Sequence, residues 1–375
     1  MTPTPPPPPS QVDFDEARRW FLQGNQALES GQLEQAQRCY EASLQALPGR
    51  PSTLLNLGLT RLRLGLAGEA LRCLDEGVSR APMDGPMHHA RGLALMRLGQ
   101  ATQAMKAWEQ AVRCDDVPAQ AWADLGSAYR EMGLPQQALA SLQRALSAGV
   151  DPEVVRFQMA GLDTTLPVPQ RPPQAYVQAL FDEYAAGFDD HLNQLGYRIP
   201  QLMALSLRQW SPQPLSLGLD LGCGTGLVAQ ALRAQVTEWD GLDLSAAMLQ
   251  QAHKTGAYRR LYQADAAAFL QSTDERYQVV MAADVLIYVG ALDGLWTGVG
   301  RVLQPAGWWG VSVELCTTPG YDYELRASLR YAHSLTYLRR LCDRYGFSMC
   351  HVEPQVVRQD QGQDIAGLCV WMQKV

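Results

Sequence analysis

The apolar positions of the chain fall into two regimes. Over residues 13–152 small and bulky positions recur at a fixed interval, the pattern of stacked helical hairpins. From Tyr176 onward short apolar runs alternate with helical stretches, the pattern of strands wound with helices.

In the first regime four registers share a period of 34 residues. Gly24, Gly58, Gly92 and Gly126 form one, and Gly31, Gly65, Gly99 and Gly133 a second. Ala36, Ala70, Ala104 and Ala138 form the third; Tyr40, Leu74, Trp108 and Leu142 follow them four residues later. Gly24 and Ala36 let two helices approach closely, and the Tyr40-type residue is expected to fill the gap against the next repeat. Gly31 suits the turn, where positive φ costs a glycine little. Each hairpin buries its apolar face only against a neighbour, so four form a short solenoid. This segment resembles the tetratricopeptide repeat, with Trp20 and Trp122 at its tryptophan position, Tyr129 at its tyrosine, and Pro48 and Pro82 at its closing proline. The resemblance implies a surface for a protein or peptide; an architectural spacer or dimerisation arm is equally compatible.

"EVVRFQMAGL" reads as a capping helix, and "DTTLPVPQRPP", 163–173, as a linker because of its four prolines. The expected division is a proline-rich tail over 1–12, four repeats over 13–152, capping helix and linker over 153–173, and a second domain over 174–375. In that domain "LSLGLDLG", "TEWDGLDLS", "YRRLYQAD", "YQVVMAADVL" and "GWWGVSVEL" read as strands. Between them "GLVAQALRAQ", "AAMLQQAHK", "AAAFLQS" and "GLWTGVGRVLQ" read as helices, the last stopping before Pro305. A helix "SLTYLRRLCDRYG" and two strands with a short connection, an antiparallel hairpin, close the chain. The fold class is therefore two-domain: an α-solenoid, then an α/β domain with a mostly parallel sheet and helices on both faces.

The candidate chemistry sits where the first strand turns. In "LGLDLGCGTGLVAQAL", 217–232, Asp220, Gly222, Gly224 and Gly226 make D-x-G-x-G-x-G, with Cys223 inside the loop. A dinucleotide fingerprint needs its third glycine one place later, where Leu227 stands. The shorter spacing, with the acid at the strand end, resembles motif I of class I S-adenosylmethionine methyltransferases. The glycines let backbone lie against a ligand, and the following helix N-terminus offers N–H groups to a carboxylate. The resemblance implies that Asp220 holds the cofactor's amino group. Asp243 ends the second strand 23 residues later, where an acid accepts ribose hydroxyls. "DLSAAML" matches the family's D-x-S-x-x-M-L run, which implies Leu244 and Met248 against the adenine. Asp265 and the N–H of Ala266 would read the adenine edge, and Asp284 would lie near the transferable methyl. Singly, each acid could instead cap a helix.

"LFDEYAAGFDDHLNQLGYRIP" resembles the lid helix of such enzymes. Tyr184 and Phe188, four apart, would share a face, set either against the sulfonium or into the sheet. With the repeats and "LRYAHSLTYL", nearly the whole chain resembles the bacterial tetratricopeptide-containing methyltransferases. That family implies S-adenosylmethionine as cofactor and leaves the acceptor undefined. His191, His333 and Glu314 are the candidates for a general base, and each also reads as a structural residue. Asn/Asp-Pro-Pro-Tyr is absent from the fourth strand, where "ADVLIY" stands, which counts against amino-group methylation of bases or glutamine. The alternative is a repeat scaffold on a catalytically inactive S-adenosylmethionine-binding fold.

Charge narrows the partners. The net charge is −7, which gives nucleic acid or an acidic membrane no overall attraction. The eight cysteines include no C-x-x-C pair, so no metal site is expected and reduced thiols in a cytoplasmic setting are the plain reading. No apolar run is long enough to span a membrane.

Overall fold

Glycine sets how closely the helices of the first unit pair. In this computed structural model, which describes residues 10–211, 213–360 and 362–375, the side chains of 183, 184, 186, 191 and 360 also lie outside the description. Residues 1–9 of the expected proline tail are likewise outside it. The chain divides into two compact units, ending at Val155 and starting at Arg156. Helices α1 (Gln11–Glu29) and α2 (Leu33–Ala46), α3 (Pro51–Arg63) and α4 (Ala67–Arg80), α5 (Gly85–Arg97) and α6 (Ala101–Ala111), and α7 (Ala119–Glu131) and α8 (Pro135–Ser147) form four hairpins. A Cβ on Gly24 would stand 2.6 Å from Tyr40, on Gly58 2.7 Å from Leu74, on Gly92 2.2 Å from Trp108, and on Gly126 2.9 Å from Leu142. The bulky residue therefore also caps the glycine of its own hairpin, a contact that the repeat period alone does not specify. Tyr40 still joins a buried cluster with Leu54 and Leu57 of the following hairpin. The turn glycines Gly31, Gly65, Gly99 and Gly133 all have φ between 70° and 78°.

Helix α9 (Pro152–Ala160) continues into the second unit. There Phe157 and Ala160 pack with Leu325, Leu329 and Tyr331, joined by Leu166, Val168 and Tyr176. The proline-rich stretch after it is not a free tether. It lies against the second unit, bonded through the carbonyls of Pro169 and Gln170.

The second unit continues with α10 (Gln174–Tyr184), a 3₁₀ turn (Ala185–Gly187), α11 (Phe188–Gln194) and α12 (Ile199–Trp210). Then follow β1 (Leu215–Leu221), α13 (Leu227–Ala231), β2 (Val236–Asp243), α14 (Ala246–Lys254), β3 (Arg260–Gln263), α15 (Ala266–Ser272), β4 (Tyr277–Ala282), α16 (Asp293–Val302) and β5 (Leu303–Leu315). Short strands β6 (Tyr323–Leu325) and β7 (Tyr331–His333), helix α17 (Leu335–Tyr345), and the hairpin β8 (Phe347–Asp360) and β9 (Gln363–Lys374) complete it. The order β3-β2-β1-β4-β5 is parallel throughout, and β9 adds antiparallel to β5. Two apolar layers cover the sheet, one around Trp296, Trp309 and Leu338, the other around Trp239, Met281 and Trp371.

Three details differ from the sequence reading. Helix α13 spans five residues rather than ten. Helix α16 does stop before Pro305, but β5 already begins at Leu303 rather than at Gly307, so Pro305 falls inside the strand. Strands β6 and β7 were unforeseen; β7 pairs with Glu314 and Leu315, beyond the point where β4 leaves β5. Among the described residues no helix is long and apolar enough to cross a membrane.

Candidate functional site

The carboxyl ends of parallel strands, where side chains and turns diverge, are where such a sheet opens a crevice. Asp220 lies within β1 and Asp243 closes β2, both buried. Asp265 and Asp284 stand two residues beyond the ends of β3 and β4.

The loop after β1 is organised by backbone. Gly222, Gly224 and Gly226 all take positive φ, at 62°, 52° and 98°. The Gly224 N–H donates to Asp243 Oδ2 at 3.0 Å, and the Ser245 N–H to Asp243 Oδ1 at 2.9 Å. Burial pushes the Asp243 carboxyl above its usual range, and these N–H donors pull it back. Asp220 is raised to about 7 by burial, opposed by a hydrogen bond from the Tyr258 hydroxyl at 2.7 Å. Tyr258 reaches it by lying across Gly241 of β2, where a Cβ would stand 2.7 Å from its ring. A glycine inside a strand marks such close approach, so this partner of Asp220 had a signal in the sequence. Cys223 is buried and its thiol raised by burial, which leaves it poorly nucleophilic.

A Cβ on Gly222 would run into Val285 at 2.6 Å, and one on Gly226 would press on Tyr258 at 3.1 Å. On Gly224 it would meet only Phe188, at 4.0 Å. The middle glycine thus faces open space roofed by an aromatic ring. The segment carrying that ring is tied down twice: Thr225 Oγ1 donates to Asp189 Oδ1 and Ser245 Oγ to Asp182 Oδ1, both at 2.5 Å. Phe181 meets Phe188 edge-on at 6.2 Å and Tyr288 at 5.2 Å, so one aromatic wall runs from the glycine loop to the end of β4. The 3₁₀ turn at Ala185–Gly187 separates Tyr184 from Phe188, so the two do not share one continuous helix. The side chains of Tyr184 and His191 lie outside the described residues.

Leu244 is half-buried beside Asp243, and Met248 is fully buried in the first turn of α14, its N–H held by Ser245 Oγ. Asp265 caps α15 by accepting the Ala268 N–H at 3.0 Å, with Ala266 opening that helix. Asp284 has φ 60°, and its N–H donates to Ser312 Oγ at 2.7 Å. Its carboxyl is raised by burial, an effect that Arg358 and Arg330 oppose. Glu314 is buried, accepting from Arg326 at 2.9 Å through one oxygen and from Arg358 through the other. The His333 ring Nε2 lies 2.8 Å from the Val289 carbonyl and 3.1 Å from that of Gly290; carbonyls only accept, so Nε2 carries the proton. Burial lowers His333 to about 4, which keeps it neutral and makes it a prop for the loop after β4. Gly224, Asp243 and Phe188 are brought together, with Asp220 buried nearby under Tyr258; His333 and Glu314 are each engaged in other contacts. Tyr258, Asp182, Asp189, Tyr288, Arg330 and Arg358 enter the neighbourhood without having been singled out from sequence.

A family described as methyltransferase domain matches residues 219–307, and one described as tetratricopeptide repeat matches 13–86 and 89–160. Human methyltransferase-like protein 27 is 43% identical over 84 residues, which is 22% of this chain and 34% of that protein. The chain thus spans about a third of the length of the curated relative it matches. Magnesium protoporphyrin IX methyltransferase from Synechocystis, solved with bound SAH, is 17% identical at a TM-score of 0.42, covering 54% of this chain and 99% of that one. The N-methyltransferase NodS from Bradyrhizobium japonicum, also solved with SAH, is 17% identical at 0.42, covering 52% and 97%. The protein MamA is 25% identical at 0.34, covering 36% and 80%. The chain combines tetratricopeptide repeats with a class I methyltransferase fold.

Proposed function

We propose that the second unit is an S-adenosylmethionine-dependent methyltransferase and that the repeats hold a protein partner or deliver the substrate. The observation that carries the reading is Gly224: at φ 52° its missing side chain leaves space beneath Phe188, while its N–H is locked to Asp243. A ligand can lie flat there, and one that brings a cationic amino group to Asp220 and ribose hydroxyls to Asp243 suits the two acceptors present.

In this reading Asp220 takes the amino group, and the backbone of Gly222, Cys223, Gly224 and Gly226 lines the methionyl portion. Asp243 receives the ribose hydroxyls. Leu244, Met248, Asp265 and the Ala266 N–H surround the adenine, while Asp284 stands at the methyl end. When bound, the cofactor supplies an activated sulfonium methyl, so alignment and exclusion of water can carry much of the rate. Phe181, Phe188 and Tyr288 provide the water-excluding wall, fixed by Asp182 and Asp189. We assign no proton-accepting role to His333, which is bonded to two carbonyls, or to Glu314, which is bonded to two arginines.

The test is incubation of purified protein and cell extract with labelled S-adenosylmethionine. Label in an acceptor, lost in Asp243→Ala, is the expected result; no label in any fraction would argue for the inactive scaffold. If the repeats recruit the acceptor, removing residues 1–155 spares cofactor affinity but slows turnover on the native acceptor through lost effective concentration.

A further inference from the structure

Two buried acids of the second unit carry their own cations: Asp240 is paired with Arg259, and Glu314 with Arg326 and Arg358. Asp220, 1% exposed, has no such partner. Among the described residues, the titratable groups that face it are Tyr258, Asp243 at the end of β2, Cys223 in the glycine loop and Tyr197 before α12. None of them is a cation, and the charge of Asp243 disfavours that of Asp220. The one hydrogen bond its carboxyl accepts among the described residues comes from the Tyr258 hydroxyl, to Oδ2 at 2.7 Å. Oδ1 is left without a donor. A buried carboxylate in that setting is costly until a cation meets it.

Tyr258 is fixed at both edges of its ring and at its backbone. A Cβ on Gly241 would stand 2.7 Å from Cε1, and one on Gly226 3.1 Å from Cε2. The ring is therefore seated between two positions without side chains, one in β2 and one in the glycine loop. The next residue anchors the chain. Arg259 donates its N–H to the Trp239 carbonyl at 2.7 Å, and its Nε and Nη2 donate to the two oxygens of Asp240 at 3.0 and 2.7 Å. The hydroxyl thus meets Oδ2 from a side chain whose place is set by three neighbours.

We propose that Tyr258 is a positioning residue of the cofactor site: it engages Oδ2 of Asp220 and so presents Oδ1 to the cofactor's amino group. This rests on the methyltransferase reading above. A hydroxyl donor also favours the ionised carboxylate, the form that a cationic amino group needs. A neutral donor suits this task better than a resident lysine or arginine, whose charge would compete with that of the ligand. Tyr258 touches no reacting atom in this scheme; it acts through Asp220.

The experiment compares full-length wild type, Y258F, D220N and the double variant. S-adenosylhomocysteine and 5′-methylthioadenosine, which lacks the amino-acid portion, are titrated into each between pH 6 and 8, and melting is recorded. Y258F keeps the ring between its two glycines, so it should melt close to wild type. We expect it to bind S-adenosylhomocysteine about tenfold more weakly at pH 7, the order of losing a hydrogen bond to a charged group. Its affinity for 5′-methylthioadenosine stays within about twofold of wild type, since that ligand brings nothing to Asp220. The pH below which S-adenosylhomocysteine affinity falls moves up by about one unit, because the ionised carboxylate has lost its donor. In the D220N background Y258F costs less than about twofold more, because the two residues act as one unit. Unchanged S-adenosylhomocysteine affinity and pH profile in Y258F overturn the proposal. An equal loss for both nucleosides overturns it too, since Tyr258 is then a packing residue alone. So does a tenfold loss that persists in D220N, which would mean that the hydroxyl acts elsewhere. Wild type that binds neither nucleoside takes the proposal down together with the methyltransferase reading, and the wild-type titration tells that outcome from the others.

Discussion

The hydroxyl of Tyr331 donates to the carbonyl oxygen of Pro169 at 2.8 Å. The next carbonyl, Gln170, accepts from both Gly290 and Ala291, at 2.9 and 3.0 Å. A stretch that composition marks as a tether is a strap holding the loop after β4. Its apolar anchor is Phe157, buried against Tyr331 and Tyr176. Phe157→Ala should therefore destabilise the second unit by about 3–5 kcal/mol, the usual cost of truncating a buried phenylalanine. Urea unfolding measures it. An unchanged midpoint would mean that the strap does not pack, and a fragment beginning at residue 174 would then be as stable as one beginning at 156.

Binding should also depend on pH through Asp220. Burial pushes its carboxyl up to about 7, opposed by the Tyr258 hydroxyl and aided by the charge of Asp243. A cationic amino group favours the ionised form and lowers that value, so binding releases a proton near neutrality. Affinity for S-adenosylhomocysteine should be full above pH 7 and fall by up to about tenfold per unit as the pH drops below it. Asp220→Asn should flatten the profile. A profile that stays steep in Asp220→Asn would place the titrating group elsewhere.

In the repeats, the closest approach belongs to Gly92 and Trp108, at 2.2 Å from a built Cβ, against 2.9 Å for Gly126 and Leu142. Trp108 is further fixed by its Nε1–H to the His89 carbonyl at 3.2 Å. Gly92→Ala should cost about 1–3 kcal/mol through overpacking, and Gly126→Ala less. Denaturant midpoints of the first unit rank them; equal midpoints would mean that the hairpins relax freely.

The repeats were legible because each register occurs four times, and the glycine loop because three glycines and an acid mark one turn. What the helices touch was less legible: the period places Tyr40 opposite a groove without saying which glycine it covers. Strands β6 and β7, three residues each, carry too few positions for alternation to register. Arg358 was hidden for a sharper reason. One extra residue in β8 inverts the inside–outside pattern, and single-residue slips are what a period of two cannot reveal. Asp265 was read as a ligand contact and also as a possible cap; it caps α15, which leaves one carboxylate oxygen for anything else.

Asp243 ties these elements together, since it accepts from the glycine loop and from Ser245 at once. Asp243→Ala should weaken nucleoside binding by about 1–3 kcal/mol, and equally for S-adenosylhomocysteine and 5′-methylthioadenosine, which share the ribose. A loss confined to one of them would move the ribose contact elsewhere.

The central claim is that the space beneath Phe188 receives S-adenosylmethionine. Calorimetric titration of the full-length protein with S-adenosylhomocysteine tests it most directly, with Gly224→Val as the control. The account predicts saturable one-to-one binding to wild type and none to Gly224→Val, whose branched side chain would occupy the ligand's place at a φ that disfavours valine. Wild-type protein that binds NAD but not S-adenosylhomocysteine, or a Gly224→Val variant that binds as well as wild type, would contradict it.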